Sequence, residues 1–132
     1  SAADRIEIIE LNARSYSAVD RGQVDAWVST FATDGSFIHS SGKPFVGHDE
    51  LKRFALTREP RRYVHWISNV IITPTREGAQ SQCYVMMVEQ MPDGSFRIRG
   101  MSRKTDEVRQ EHGQWRFMSR RSAPLPDVAP GR

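Results

Sequence analysis

Asp20 and His65 are the two residues whose types could together remove a proton from a bound molecule. An imidazole accepts a proton near neutral pH, and a carboxylate bonded to the ring fixes its tautomer and stabilises its protonated form. Inside a pocket shielded from water, such a pair can take a proton from carbon or oxygen. This chemistry requires that the elements carrying Asp20 and His65 bring the two side chains together.

Asp20 lies near the end of the first predicted helix, which covers residues 4–21. Asp4 is a plausible N-cap of this helix, and Gly22 is a natural stop. A helical wheel places four residues in one sector, and Asp20 is the next position of that series. The four residues are Ile6, Ile9, Ala13 and Tyr16. The pattern predicts that they form the buried face of the helix.

The position of Asp20 has two interpretations. If Asp20 continues the buried face, its carboxylate must be hydrogen-bonded or paired, because burying it alone costs several kcal/mol. It also lies near the helix C-terminus, where the helix dipole disfavours negative charge. Alternatively, the helix frays by Val19, and Asp20 is a solvated turn residue. The buried interpretation predicts a partner elsewhere in the chain.

His65 is the best candidate for that partner. Its predicted strand is largely apolar on both faces, with Tyr63 and Ile67 beside His65 and with Val64 and Trp66 on the other face. We therefore expect His65 to be buried. A lone buried histidine is more often a satisfied core residue than a catalyst. The function of His65 thus depends on whether a carboxylate contacts its ring.

The segment between these two residues predicts two further helices and one strand. A second helix is expected over residues 24–31, followed by a turn and a short strand over residues 36–40. A third helix is expected over residues 47–58, capped by His48 or Asp49.

The second half of the sequence alternates with a period of two, which is typical of strands. Four strands are predicted over residues 63–73, 79–90, 95–108 and 114–122, joined by short turns that contain glycine. Consecutive hairpins make an antiparallel meander, and the helices must cover one of its faces. The predicted fold class is α+β in the order α-α-β-α-β-β-β-β, a curved antiparallel sheet around the helices with one central apolar pocket. A proline-rich tail is expected over residues 123–132.

Length and composition favour one ordinary globular domain. The chain has 132 residues, of which 38% are hydrophobic and 27% charged, and it holds no apolar run of the roughly 20 residues that span a bilayer. The net charge of +3 is spread along the chain, so we expect neither nucleic acid nor membrane as a partner. The lone cysteine, Cys83, excludes an internal disulfide, is typical of buried filler and fits a reducing cytoplasm.

The sequence contains none of the motifs that hold a metal or a nucleotide. The histidines at positions 39, 48, 65 and 112 have no spacing such as His-x-x-x-His. A glycine-rich phosphate loop and a nucleophile elbow are also missing. We therefore expect no metal and no cofactor, and we interpret His48 and His112 as structural residues.

Four separated segments together resemble the SnoaL-like branch of the nuclear transport factor 2-like superfamily. They are Val19-Asp20-Arg21-Gly22, Gly47-His48-Asp49-Glu50-Leu51, His65-Trp66-Ile67-Ser68-Asn69-Val70 and Gly113-Gln114-Trp115-Arg116. The resemblance implies a cone-shaped α+β barrel as a single domain over residues 1–122. Members of the superfamily include dehydratases, isomerases, cyclases and non-catalytic domains, so the fold alone settles little about activity.

Within this superfamily, the pattern is most similar to scytalone dehydratase, the bile acid dehydratases and lindane dehydrochlorinase. The resemblance implies that His65 is a base oriented by Asp20. It also implies that Arg120 assists a leaving group or a developing negative charge, with help from Tyr16 or, more weakly, from Ser15. One departure is that residues 100–104 lack both the tyrosine and the aspartate of a Gly-x-Tyr-x-Asp element expected in this strand.

Large side chains that are also ordinary core candidates are expected to line the pocket. They are Trp27, Phe31, His39, Phe54, Trp66, Met86 and Met101. Methionine suits irregular ligands, which favours an adaptable apolar pocket. His39 shares strand parity with Phe37, so it either faces this pocket or lies at the surface rim.

Two functions fit these features. The first is a cofactor-free lyase or isomerase that acts on a hydrophobic, cyclic small molecule. The alternative is a non-catalytic ligand-binding or scaffolding domain, which resembles the small subunit of ring-hydroxylating oxygenases and keeps the Asp20–His65 pair as a structural remnant. By resemblance alone, we expect a homodimer paired through the exposed sheet face in either case.

Overall fold

Three helices and six strands make up the part of the chain that the computed structural model describes, residues 1–58 and 63–125. The helices are α1 (Ala2–Asp20), α2 (Val24–Val28) and α3 (Gly47–Thr57). The strands are β1 (Phe31–Ile38), β2 (Pro44–Val46), β3 (Tyr63–Pro74), β4 (Ala79–Gln90), β5 (Phe96–Glu111) and β6 (Gln114–Pro124). The predicted α+β order is confirmed, and the short β2 is one additional strand before α3.

The strands form one curved sheet in the order β2-β1-β6-β5-β4-β3. The strands β3 to β6 pair antiparallel with their neighbours along the chain, which confirms the predicted meander. In contrast, β1 pairs parallel with β6, so the sheet as a whole is mixed. The alternation of side chains within a strand does not specify its partner, and this pairing joins strands from opposite ends of the chain.

A capping box formed by Ser1 and Asp4 begins α1. The Ser1 hydroxyl accepts a hydrogen bond from the Asp4 backbone N–H at 3.2 Å, so Ser1 is the N-cap and the prediction of Asp4 as N-cap is wrong. The Asp4 carboxylate also accepts a hydrogen bond from the Trp115 indole N–H at 3.1 Å. This contact ties the first turn of α1 to β6.

The buried face of α1 differs from the predicted one. Ile6 and Ile9 are 57% and 45% exposed, and Ala13 is also exposed. The buried residues of the helix are Ile8, Leu11, Asn12, Ser15, Tyr16 and Ala18. Asn12 and Ser15 lie inside because they bond to polar side chains of the sheet. A wheel that considers apolar residues alone cannot reveal such partners.

The predicted boundary between the second helix and the first strand is also wrong. Phe31 begins β1, and residues 33–35, predicted as a turn, lie inside this strand. The pairing of β1 with β6 is irregular between Phe31 and Ser36, which accommodates the turn-forming residues. Glycine is needed within this stretch, because a Cβ atom at Gly35 would lie 2.7 Å from the carbonyl oxygen of Phe117.

The third predicted helix is confirmed as α3, but its predicted cap is wrong. Val46 occupies the N-cap position, and neither His48 nor Asp49 caps the helix through its side chain. His48 Nε2 instead donates a hydrogen bond to the carbonyl oxygen of Phe31 at 3.0 Å. This bond ties the start of α3 to the start of β1.

The main core lies between the helices and the inner face of the sheet. Its fully buried residues include Ile8, Leu11, Phe31, Leu51 and Phe117. A second buried cluster contains Tyr16, Cys83 and Val85. Burial raises the pKa of the Cys83 thiol to about 11, so this cysteine is in the neutral form near pH 7.

The last strand extends into the segment predicted as a tail. β6 runs to Pro124, and the Leu125 N–H donates a hydrogen bond to the Met101 carbonyl oxygen at 2.9 Å. The rest of the predicted tail, residues 126–132, lies outside the described residues. Among the helices of the described ranges, none is both long and apolar enough to cross a membrane.

Candidate active site

Asp20 and His65 meet where the end of α1 lies against the start of β3. The Asp20 Oδ1 atom lies 2.5 Å from His65 Nδ1, and Oδ2 accepts a hydrogen bond from the His65 backbone N–H at 3.1 Å. The side chains of Asp20 and His65 are only 17% and 10% exposed. The sequence predicted this contact. The alternative interpretation, in which Asp20 is a solvated turn residue, is wrong.

This contact determines which nitrogen of His65 can act as a base. An ionised carboxylate can only accept hydrogen bonds, so Nδ1 carries the proton that is shared with Asp20. The lone pair of a neutral ring is then on Nε2. Among the described residues, Nε2 has no hydrogen-bond partner. The Asp20 contact therefore orients Nε2 as a possible proton acceptor.

The surroundings of His65 keep its ring neutral. Burial lowers the pKa of His65 below its ordinary 6.5, and this effect outweighs the hydrogen bond and the charge of Asp20, which raise it. The positive charges of Lys104 and Arg58 lower the pKa further. At pH 7 the imidazole is thus unprotonated, which is the form that a general base requires.

Tyr16 supports the imidazole with its ring and not with its hydroxyl. The Tyr16 and His65 rings are stacked, with centroids 5.3 Å apart and planes 28° from parallel. The Tyr16 hydroxyl is covered by protein and has no hydrogen-bond partner among the described residues. Burial raises the pKa of this hydroxyl far above its ordinary value. Tyr16 points inward, as predicted, but its hydroxyl is not exposed to the cavity.

Arg120 is held in a buried polar network. Its guanidinium bonds to Asp106 through Nε at 2.8 Å and through Nη2 at 2.9 Å. It also donates to the Ser15 hydroxyl at 3.1 Å and to the Asn12 side-chain oxygen. Four of the five N–H groups of the guanidinium are therefore occupied. Its charge is balanced by Asp106, and both residues are fully buried.

Asp106 and Lys104 were not predicted as site residues, because the acid of this strand was expected within residues 100–104. A Gly-x-Tyr-x-Asp spacing that ends at Asp106 puts Lys104 at the tyrosine position. The available signal was the alternation along β5, since Lys104, Asp106 and Val108 share one face of the strand. Burial and the charge of Arg120 lower the pKa of Lys104 to about 8.

These side chains line one cavity of about 480 Å³. Its lining includes the ionisable residues Asp20, His65, Tyr16, Lys104 and Arg120. The aromatic side chains of its wall are Trp27, Phe37, Phe54 and Tyr63. The volume lies within the range of pockets that bind small organic molecules.

Only two of the residues predicted to line the pocket do so, Trp27 and Phe54. Phe31 is fully buried in the main core. His39 lies beside the wall, with its ring centroid 6.1 Å from that of Phe54, but it does not line the cavity.

Trp66, Met86 and Met101 are on the wrong side of the sheet for the predicted role. Adjacent residues of a strand point to opposite faces, and because His65 faces the cavity, Trp66 must face outward. Met86 and Met101 are the register partners of Trp66 on β4 and β5, so they share its outer face. These three residues therefore do not line the cavity, and the prediction that they would is wrong.

Within the described ranges, no group of three or more His, Cys, Asp or Glu side chains could hold a metal ion. The side chains of the site supply imidazole, carboxylate, ammonium and aromatic groups. These groups can accept a proton, orient the acceptor and attract negative charge next to an apolar surface.

Comparisons with known proteins agree with this architecture. A structure of a protein of unknown function with a cystatin-like fold from Nostoc punctiforme is 28% identical, covers 97% of this chain and 96% of its own, and has a TM-score of 0.84. A nuclear transport factor 2-like protein from Novosphingobium aromaticivorans is 21% identical, with 97% and 86% of the two chains covered and a TM-score of 0.87.

A third similar structure, of a protein from Catenulispora acidiphila in complex with S-DNPA, is 22% identical. It covers 94% of this chain and 95% of its own, with a TM-score of 0.84. No curated protein sequence matches the chain. The model of the SnoaL-like domain family matches residues 1–121. The chain therefore belongs to the SnoaL-like domain family, as its sequence pattern and its fold together indicate.

Proposed function

We propose that this protein is a cofactor-free lyase or isomerase in which His65, oriented by Asp20, removes a proton from a hydrophobic, cyclic small molecule. The observation that supports this most directly is the contact of His65 Nδ1 with Asp20. It leaves Nε2 without a hydrogen-bond partner in the described part of the chain, and the His65 side chain lines the cavity. A ligand C–H or O–H group placed near Nε2 would meet a neutral base held in one tautomer.

The proposed step moves one proton and one electron pair. The C–H bond of the ligand breaks, the proton goes to Nε2, and the Asp20 carboxylate stabilises the resulting imidazolium. In a lyase, the electron pair forms a double bond and expels a leaving group from the neighbouring carbon. In an isomerase, the pair is delocalised and a different carbon takes the proton back.

The cavity wall supports a hydrophobic cyclic ligand. Trp27, Phe37 and Phe54 present rings on one side of the space, and flat aromatic surfaces pack well against flat or cyclic molecules. In this proposal Arg120 acts as a positioning residue. It contacts the Tyr16 ring at 4.8 Å and thereby supports the stack on His65.

The test compares wild-type protein with His65→Gln. A panel of cyclic hydroxyketones and enones is incubated in D₂O, and proton NMR follows loss of water, double-bond migration and deuterium uptake. Because glutamine can still donate to Asp20, the variant is expected to fold and to bind ligand, with turnover reduced by roughly 100-fold or more. His112→Asn, on the exposed hairpin after β5, is the matched control and should retain full turnover.

Either of two results would remove the proposal. One is a His65→Gln variant as active as wild type, and the other is a panel in which no compound reacts. A panel that binds without reacting would support the alternative, a non-catalytic ligand-binding or scaffolding domain.

The outer face of the sheet supports pairing with a second copy of the chain. Two apolar rows run across β3, β4 and β5 in register, and they define what we call the outer apolar face. They consist of Val64, Val88 and Ile98 and of Trp66, Met86 and Met101. Trp66 is 64% exposed, which is unusual for a tryptophan in a single soluble chain. We propose that this face forms the interface of a homodimer.

A further inference from the structure

The polar side chains that line the cavity differ in how many of their hydrogen-bonding atoms are already used by other residues. Both oxygens of Asp20 are used by His65. Arg120 is occupied by its buried network, and the Tyr16 hydroxyl is covered by protein. None of these three groups is free to bind a polar atom of a ligand without giving up a contact or moving.

Lys104 is the exception. Its Nζ atom lies 5.4 Å from the centroid of the Phe37 ring, and its side chain lines the cavity. Within residues 1–58 and 63–125, no hydrogen bond or ion pair of this ammonium is present. A largely buried ammonium that makes no direct ion pair is unfavourable, even though the more distant charge of Asp106 partly offsets the cost. A ligand oxygen that accepts a hydrogen bond would relieve this cost.

Lys104 also shares its cavity with the proposed base. Lys104 on β5 and His65 on β3 line the same cavity of about 480 Å³. A small molecule of the size of the cavity can therefore contact both groups at once.

We propose that the Lys104 ammonium binds an oxygen of the substrate that becomes negatively charged when His65 removes the neighbouring proton. The substrate class is then a carbonyl compound with a hydrogen on the carbon next to the carbonyl group. As the C–H bond breaks, its proton goes to His65 Nε2 and its electron pair is delocalised onto the carbonyl oxygen. The ammonium stabilises the resulting enolate by a charged hydrogen bond.

This inference rests on the proposed function, but it makes a separate prediction about binding. A positive group that stabilises an enolate should also prefer a phenolate over the corresponding neutral phenol. With a pKa of about 8, Lys104 is mainly protonated at pH 7 and acts as a cation and hydrogen-bond donor. A covalent imine with a carbonyl ligand would require the neutral amine instead.

The experiment uses para-nitrophenol, whose phenolate is coloured, and para-nitroanisole, which cannot ionise. Wild-type protein should bind the phenolate preferentially and thus increase its absorbance at constant pH. Lys104→Met should weaken phenolate binding by roughly 10- to 100-fold, the value of a hydrogen bond to a charged group. Its affinity for para-nitroanisole should be unchanged, because methionine matches the length of the lysine stem and leaves no partner unpaired.

Two further variants of β5 control for charge and fold. Lys104→Arg keeps the positive charge and should retain the preference for phenolate. Arg103→Met removes a neighbouring cation that lies over Tyr84 and is exposed, and it should leave phenolate binding unchanged. Circular dichroism of each variant confirms that the fold is retained.

The outcomes separate the two proposals. Unchanged phenolate affinity in Lys104→Met would overturn the inference, and so would a borohydride-trapped adduct on Lys104 after incubation with a ketone. His65→Gln should bind phenolate as wild type does while losing turnover. If turnover does not depend on His65 but phenolate binding still depends on Lys104, the proposed function fails and the oxygen-binding role of Lys104 stands.

Discussion

Asp20 holds His65 at two atoms, because one carboxylate oxygen contacts Nδ1 at 2.5 Å and the other accepts from the His65 backbone N–H at 3.1 Å. The backbone contact fixes the strand against the last turn of α1. The ring contact fixes the tautomer. A single side chain thus positions the base and determines which nitrogen is available.

Replacing Asp20 by asparagine should disturb the tautomer more than the fold. The amide can still accept one hydrogen bond, but it no longer stabilises an imidazolium, so we expect turnover to fall by roughly 100-fold or more. Nitrogen-15 NMR of His65 should show a single Nδ1–H tautomer in the wild type and a mixture in Asp20→Asn. The exposed Asp25, which pairs with Lys52 at 3.1 Å, provides the control Asp25→Asn. An unmixed tautomer in Asp20→Asn would contradict the proposed role of Asp20.

The rate should depend on pH with a maximum near neutrality. Below the lowered pKa of His65 the ring is protonated and cannot accept a proton, so the rate falls on the acid side. Above the Lys104 pKa of about 8 the ammonium is lost, so the rate also falls on the alkaline side.

The titratable groups that act on these two pKa values come from several elements. Asp20, Lys104 and Arg58 act on His65, and Arg120, Asp106, Cys83 and Arg58 act on Lys104. The measurement is kcat/KM against pH for wild type and Lys104→Arg. Because arginine remains protonated, the fall in rate at alkaline pH should disappear in this variant. If the fall is unchanged, a group other than Lys104 is responsible for it.

Replacing Arg120 should lower the free energy of unfolding more than any other substitution at the site. Arg120→Met leaves Asp106 buried and unpaired, which we expect to lower the free energy of unfolding by about 3–5 kcal/mol. Urea denaturation measures this change. Arg121→Met removes an exposed cation of the same strand and should stay within about 0.5 kcal/mol of wild type. The double variant with Asp106→Asn should recover part of the loss, because it removes the unpaired charge.

Trp66 should be the most sensitive residue of the outer apolar face. A buried carboxylate at the centre of a dimer interface is strongly unfavourable, so Trp66→Glu should convert a dimer into a monomer. Light scattering coupled to size-exclusion chromatography gives the mass directly. Ile6→Glu changes an exposed isoleucine of α1 and should leave the mass unchanged. A wild-type protein that is already monomeric would overturn the proposed dimer.

The sequence by itself determined most of the elements and one long-range contact. Period and turn residues placed the four long strands within a few residues of their observed ends, because hairpin turns and alternation are local properties. The Asp20–His65 contact was predicted, but the helix stripe that suggested it is not the buried face of α1, since only Tyr16 of its four members is buried. The support that held was the apolar strand around His65 and the resemblance to enzymes that use such a pair.

The tertiary structure decided which faces of these elements point inward. Ile6 and Ile9 are exposed and Asn12 is buried, because Ser81 and Arg120 supply hydrogen-bond partners that lie far away in the sequence. The cavity likewise includes Lys104 and excludes Trp66, since strand parity and register assign each side chain to one side of the sheet. Burial of polar groups depends on partners brought together by folding, and local spacing carries no information about them.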